Sequence, residues 1–335
     1  RIIPLLALHL REHATDLLTN DILSELQKHH RDSTQHNLVL AMELLRLIDL
    51  FKASGINVVP FKGTVSAMLS YGDMALRACG DIDLLVLPDN HDKAEKLLEA
   101  EGYSVKERYQ DALQSTLLHE QRRIYIDLHW GIPAGLLRLD TAPLWEDLTE
   151  INLLDRPLST FSRCDTLLVM AINATKEYWR PSLHHLSEIA ALTGSYTDGD
   201  WMVAFHRARR IGCQRMLVAA LLFAHRLLDM ELPSAGPVRL FSHRGINRVV
   251  DELQDHLFLE SGEQKNNAAM QLIHHASAQS YYLSLTDSSL RRSSDWLKWA
   301  VTPNSSDKAV IKLPAHLSFL YYFVRPLRLL VKRWQ

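Results

Sequence analysis

The chain has 335 residues, 47% of them hydrophobic and 23% charged, with a formal net charge of -2. That length can bury a real core in one large or two ordinary domains, and the composition is ordinary for a soluble globular protein. The near-neutral balance argues against a protein whose main work is coating nucleic acid, while leaving room for a local basic groove.

The N-terminal run Ile2-Ile3-Pro4-Leu5-Leu6-Ala7-Leu8 resembles a secretory h-region, but His9 and Arg11 break it and no small-residue cleavage site follows. It reads as a helix. Other apolar runs, such as Met216 to Ala224, are too short to span a bilayer. Cys79, Cys164 and Cys213 show no CxxC spacing, which argues against a disulfide framework or a zinc site and favours a reducing cytoplasm.

The first fifty-odd residues read as helical. The last of these helices is expected near 36–53, with Leu38, Leu40, Met42, Leu45, Ile48 and Leu50 as its apolar stripe and Ser54-Gly55 ending it. Ile56 to Phe61 is a short strand, followed by Lys62-Gly63-Thr64 and a helix to Ser70. Asp81 to Leu87 is a second strand closed by Pro88. Asp89 or Asn90 can cap the next helix, which stops at Gly102. Residues 103–107, 115–119 and 123–130 are three more strands, so residues 55–160 form a small mixed sheet with helices packed on it.

After Pro133 the pattern is helical. Helices are expected near 163–178, 183–193, 199–210, 213–229, 246–258, 266–284 and 287–299, with Ser162 and Asp200 as caps and an exposed turn-rich segment at 301–313. The division is a helical segment 1–54, a core 55–160 and a helical domain 161–335.

The chemistry concentrates in Gly80-Asp81-Ile82-Asp83-Leu84-Leu85-Val86. On a strand Asp81 and Asp83 share one face, with Ile82, Leu84 and Val86 on the other. Neighbouring like charges repel by ~1 kcal/mol or more, so an otherwise apolar strand keeps the pair only if something neutralises it. Magnesium does so, sharing carboxylate oxygens with substrate phosphates; a solvated strand edge is the bland alternative. Tyr125, Asp127 and His129 share one face of a later strand, and an acid inside a buried strand is costly unless paired or metal-bound. Asp81, Asp83 and Asp127 could together hold two ions roughly 3.5–4 Å apart for in-line phosphoryl displacement, with Asp127 also able to serve as base. Lys62-Gly63-Thr64, at a strand end opening a helix, suits the phosphates.

Gly63-Thr64 before a helix, Asp81-Ile82-Asp83 on a strand and Asp127 on a later strand resemble the nucleotidyltransferase superfamily of DNA polymerase beta and kanamycin nucleotidyltransferase. The chain is more closely similar to a bacterial family of uncharacterised nucleotidyltransferases. That likeness extends to Gly55 to Gly63, Ala75-Leu76-Arg77, Asp127-Leu128-His129-Trp130 and the tail 321–330. It implies an α+β fold: a small mixed-sheet nucleotidyltransferase core with flanking helices and a mainly α-helical C-terminal domain. It also implies transfer of a nucleoside monophosphate from an NTP, with ATP the leading candidate, using Mg2+ with Mn2+ as the alternative. Asp81, Asp83 and Asp127 are then the catalytic and metal residues, and Lys62, Gly63, Thr64, Arg77 and Lys176 contact the nucleotide. The chain departs from the family at Asn173-Ala174, Glu177 and Glu188, where His-Gly, a second His and Asp are usual; Lys176 is kept.

The remaining candidates are weaker. Arg77 is either a triphosphate contact or a surface arginine, His129 a packing residue or carboxylate partner, and Lys176 with Arg180 a basic pair at the cleft or on a solvated face. The adjacent pairs His29-His30, His184-His185 and His274-His275 are expected to point to different helix faces and to make poor metal clamps. Residues 317–333 mix aromatic with basic side chains; they either dock on the protein's own core or form an interfacial membrane helix. The acceptor is unspecified: a small molecule, peptide, protein or sugar. The rival readings are a catalytically idle, antitoxin-like nucleotide-binding partner and an RNA 3′-end nucleotide-adding enzyme.

Overall fold

A computed structural model of the chain describes residues 2–14, 18–109, 112–133, 139–176, 182–257, 281, 284–287, 301, 314–324 and 326. Helices α1 (Ile3–His13) and α2 (Asn20–Ala53) come first. At 34 residues, α2 begins well before the expected boundary, capped by Thr19, whose hydroxyl accepts from the Ile22 amide at 3.5 Å. Its buried stripe also differs from the expected one. Asn37, Leu40, Ala41, Leu44, Leu47 and Phe51 face inward at helical spacing, while Leu38 and Met42 are exposed.

Strand β1 (Val58–Pro60) leads through α3 (Gly63–Tyr71) to β2 (Ile82–Val86), then α4 (His91–Ala100), β3 (Ser104–Tyr109), β4 (Gln114–His119) and β5 (Ile124–His129). The sheet order is β1-β2-β5-β4-β3, with β2 and β5 parallel and every other pair antiparallel. A 3-10 turn at Pro88–Asn90 precedes α4, and Asn90 occupies the cap position without a side-chain hydrogen bond.

A second sheet, β6 (Leu148–Leu153) with β7 (Arg156–Phe161), stands where only helices are expected after Pro133. Leu154 and Asp155 close this hairpin with φ of 51° and 59°. Two-residue turns with both φ positive favour Asn-Gly, so Leu-Asp gives no turn signal in the sequence.

Helices α5 (Arg163–Lys176), α6 (Ser182–Thr193), α7 (Asp198–Ile211), α8 (Gln214–Leu228), α9 (Val238–Phe241) and α10 (Arg244–Leu257) follow. Ser162 caps α5 as expected, accepting from the Asp165 amide at 3.3 Å. On α7 the cap is Thr197, one turn earlier than expected, with Asp200 closing a capping box. The helices expected near 266–284 and 287–299 lie outside the described residues except Tyr281 and 284–287, as does 302–313. In the tail Tyr321 is buried while Phe319, Tyr322 and Phe323 are exposed; Arg325, Arg328, Lys332 and Arg333 lie outside the described residues. Among the described residues no helix is long and apolar enough to cross a membrane.

The five-stranded sheet lies between two apolar clusters. Ile82, Leu84 and Val86 of β2 and Ile124, Ile126 and Leu128 of β5 pack with Leu40, Leu44 and Phe51 of α2 and Leu98 of α4. Leu85 and Phe61 pack on the other side with residues of α5 to α8.

Two polar anchors fasten α2 beneath the sheet. Glu43 accepts from Tyr103 Oη at 2.8 Å and pairs with Arg46 and Arg122. Asn37, fully buried, donates to the carbonyls of Met74 and Arg77 at 2.6 and 2.5 Å, and its Oδ1 accepts from the Cys79 amide at 3.2 Å. Asn37 thereby holds the connection that delivers Asp81. The substitution Asn37→Ala strands these buried backbone groups and should cost ~3 kcal/mol in urea unfolding. A loss below ~1 kcal/mol would show that the connection holds without Asn37.

Candidate active site

Asp83 and Leu85 share the face of β2 that looks toward α5 to α8, as side-chain alternation requires. Parallel pairing with β5 sets Asp83 opposite Asp127 and Leu85 opposite His129. Asp81 precedes β2 by one residue, outside the strand, and is partly buried.

Asp83 is only 7% exposed. Its Oδ1 accepts from Lys62 Nζ at 2.9 Å and lies 3.1 Å from His129 Nε2. Burial, the largest influence, opposes the Asp83 charge; Lys62 and His129 more than offset it and hold the carboxyl well below its usual range. Burial, and next the Lys62 charge, push His129 down to about 4 against the pull of Asp83. His129 is therefore neutral at pH 7, donates from Nε2 to Asp83, and leaves Nδ1 buried with no hydrogen-bond partner.

Asp127 accepts from Thr116 Oγ1 at 2.7 Å. Burial, then the nearby Asp83 charge, raise its pKa, while Thr116, Lys62 and Lys176 pull the other way. Two carboxylates on neighbouring strands thus have pKa values driven apart, an arrangement that divides labour between a permanently ionised group and a more basic one. Lys176, at the C-terminal end of α5, is close enough to act on both Asp127 and His129.

Asp83, Asp127 and His129 offer ligand atoms all within 4.8 Å of one another. The facing carboxylates of Asp83 and Asp127 fit a hard divalent cation such as magnesium or manganese, with His129, engaged on Asp83 through Nε2, beside them. Asp81 is not in that converging group.

The phosphate turn is packed directly against this strand. Gly63 opens α3 at φ +58°, and a Cβ there would lie 3.4 Å from the Asp81 carbonyl oxygen. Glycine is needed there for its positive φ, so a bulkier residue strains the backbone itself. Thr64 is buried in the first turn of α3.

Arg77, read from the sequence as a triphosphate contact or a surface arginine, is buried and its Nε lies 2.7 Å from Glu188 Oε1 of α6. Burial works against the guanidinium charge and Glu188 more than restores it, leaving the pKa raised. Ser66 Oγ of α3 also donates to Glu188 at 3.0 Å. One carboxylate from α6 therefore ties the phosphate-turn helix to the segment that leads into β2.

His184 and His185 correct an expectation. Both are buried, their ring centroids are 3.8 Å apart, and with Glu188 they form a second converging donor group. Neighbouring helix positions differ by about 100°, and two imidazoles can lean together across that angle. The Glu188 charge is already matched by Arg77. Arg180 lies outside the described residues. Thr116, Ser66 and Asn37 carry no sequence signal of their own, since each matters through a partner more than ten residues away.

A glycine turn at a helix start, packed on a strand whose aspartate faces another on the adjacent strand, defines a nucleotidyltransferase core. The chain belongs to the family described as uncharacterised nucleotidyltransferase, whose pattern matches residues 1–229, and it is an enzyme of that class. Similar solved structures include the lincosamide antibiotic adenylyltransferase LnuA, lincomycin-bound, at 24% identity over 38% of this chain and 83% of that one, TM-score 0.31. Another is the antibiotic-resistance factor ANT(2'')-Ia, at 14% identity over 53% and 92%, TM-score 0.39. A third is an antigenic nucleotidyltransferase-like protein from Paracoccidioides brasiliensis, at 12% identity over 63% and 98%, TM-score 0.39. No curated protein matches the chain.

The depressed His129 pKa has a consequence for stability. Below pH 6.5 the unfolded chain protonates this histidine and the native state does not until about pH 4, so acidification through that window favours unfolding. At pH 4.5 the loss from this group should be roughly 2–3 kcal/mol. Urea unfolding at pH 7.5 and 4.5 should show His129→Gln losing less stability than the natural protein; equal losses would refute a buried neutral imidazole.

Proposed function

We propose that the chain transfers a nucleoside monophosphate from ATP or another NTP to an acceptor nucleophile, with Mg2+ or Mn2+ held by Asp81, Asp83 and Asp127. The observation that carries this reading is the facing pair Asp83 and Asp127, with opposed pKa shifts, beside the Lys62-Gly63 turn.

Lys62, the first-turn amides at Gly63 and Thr64, and Lys176 receive the phosphates, where the start of α3 favours an anion. A bound divalent ion supplies charge neutralisation for the carboxylates and phosphates. His129 keeps Asp83 oriented through its Nε2–H. Asp127, the more basic carboxylate, takes the proton from the acceptor hydroxyl as its oxygen bonds to the α-phosphorus; the bond to the β-phosphate oxygen breaks and pyrophosphate leaves. Arg77 acts from behind by fixing the approach to β2 through Glu188. In this reading residues 55–160 are the catalytic core and 161–335 contribute the acceptor side. Positioning and charge neutralisation supply most of the rate.

The test is incubation with each α-labelled NTP and Mg2+ or Mn2+ against peptides, sugars, antibiotics and tRNA, following label transfer and pyrophosphate. Asp83→Asn should lower turnover by at least ~4 kcal/mol, about a thousandfold, while the fold persists. Near-normal turnover in that variant would remove the metal-site reading. Asp127→Ala should abolish transfer yet leave calorimetric NTP binding measurable, because the base is lost and the Lys62 turn remains. Equal loss of both would make Asp127 an anchor rather than the base.

A further inference from the structure

We propose that Lys62 is an exchangeable substitute for the divalent ion: its ammonium neutralises Asp83 until nucleotide phosphates draw it away, so that metal and nucleotide enter together. This rests on the active-site reading above and adds an order of binding to it.

A carboxylate as buried as Asp83 needs a counter-charge. Lys62 Nζ supplies it at 2.9 Å, and Asp83 Oδ1 is the same atom that His129 approaches at 3.1 Å. An ammonium 2.9 Å from a carboxylate oxygen repels a divalent ion that would take the same oxygen.

Charge accounting points the same way. Without an ion, the Lys62 ammonium sits on Asp83 at 2.9 Å, while the facing Asp127 is met by the neutral Thr116 hydroxyl at 2.7 Å. A divalent ion balances both acids and leaves the ammonium for another anion. Lys62 can supply that movement. It is the N-cap residue of α3, its backbone is extended, and its flexible stem starts where the phosphates are expected. Its side chain is 21% exposed against 7% for Asp83, so Lys62 is the more accessible member of the pair. The Phe61 ring, 4.9 Å from Nζ, gives a resting contact that any displacement must also break.

The two cations therefore compete for Asp83, while nucleotide and metal assist each other by sharing out the displaced ammonium. Such coupling between two ligands is reciprocal and commonly amounts to between about fivefold and about 150-fold in affinity.

The experiment is calorimetric titration of Mn2+ into the natural protein, Lys62→Met, Lys62→Gln and Lys62→Arg, with and without α,β-methylene-ATP. Asp83→Asn serves to subtract binding elsewhere, and thermal unfolding checks that each variant is folded. The natural protein and Lys62→Arg should bind Mn2+ alone weakly and at least ~10-fold more tightly with the analogue. Lys62→Met and Lys62→Gln should bind Mn2+ alone at least ~10-fold more tightly than the natural protein, and the analogue should add less. Lys62→Gln keeps a hydrogen-bond donor for Asp83, so it carries the test if Lys62→Met fails to fold. The proposal is overturned if both neutral variants bind Mn2+ alone no more tightly than the natural protein, while that protein binds it with the analogue. If the natural protein takes up no Mn2+ with or without the analogue, the active-site reading itself fails and the exchange falls with it.

Discussion

The Asp83 carboxylate is buried in a central strand of an apolar sheet, and the surrounding structure is organised around the cost of keeping it ionised there. Lys62 arrives from the end of β1 and His129 from the parallel neighbour β5, so two elements converge on one oxygen atom. Burial, and next the positive charge that steadies Asp83, push His129 into its neutral form; burial, and next the charge of Asp83, raise Asp127. Each member of the group therefore has its protonation state set by burial together with the others.

Such a group needs rigid support, since an ångström of drift would leave a charge unmatched. The sheet provides it on one side through apolar packing with α2 and α4. On the other, Glu188 joins α6 to Ser66 and Arg77, while Asn37 of α2 holds the connection between α3 and β2 by its backbone. These polar ties lie among apolar side chains, where an unmatched group is far more costly than at the surface.

Much of this was legible in the sequence because it depends on period and on residue type. The alternation gave the apolar faces of both strands and the facing of Asp83 and Asp127, though Asp81, expected on the strand beside Asp83, stands one residue ahead of it; the strands of the main sheet were placed to within a few residues. What escaped depends on partners distant in sequence or on unusual backbone. The β6–β7 hairpin turns on Leu154-Asp155, a pair without turn chemistry in its composition. The true stripe of α2 is decided by which side the sheet covers, and an apolar count that included Leu38 and Met42 could not know it. Arg77 looked like a ligand contact because nothing in its neighbourhood announces Glu188, more than a hundred residues later. The pair His184 and His185 looked divergent because ideal helical geometry takes no account of how large rings lean.

The contact between Gly63 and the Asp81 carbonyl has a consequence for how this site can change. Because the turn lies beside the backbone just ahead of β2, and the β1 strand that leads into it is paired with β2, neither can be lengthened or shifted without moving the other. The two form a single mechanical part, reaching from β1 to the end of β2. Recombination between related chains that cuts within this stretch would join halves of mismatched spacing, whereas exchange of 58–86 as one block would carry its geometry intact. New substrate preferences are thus easier to acquire through the surrounding helices than by remodelling this hinge-free centre.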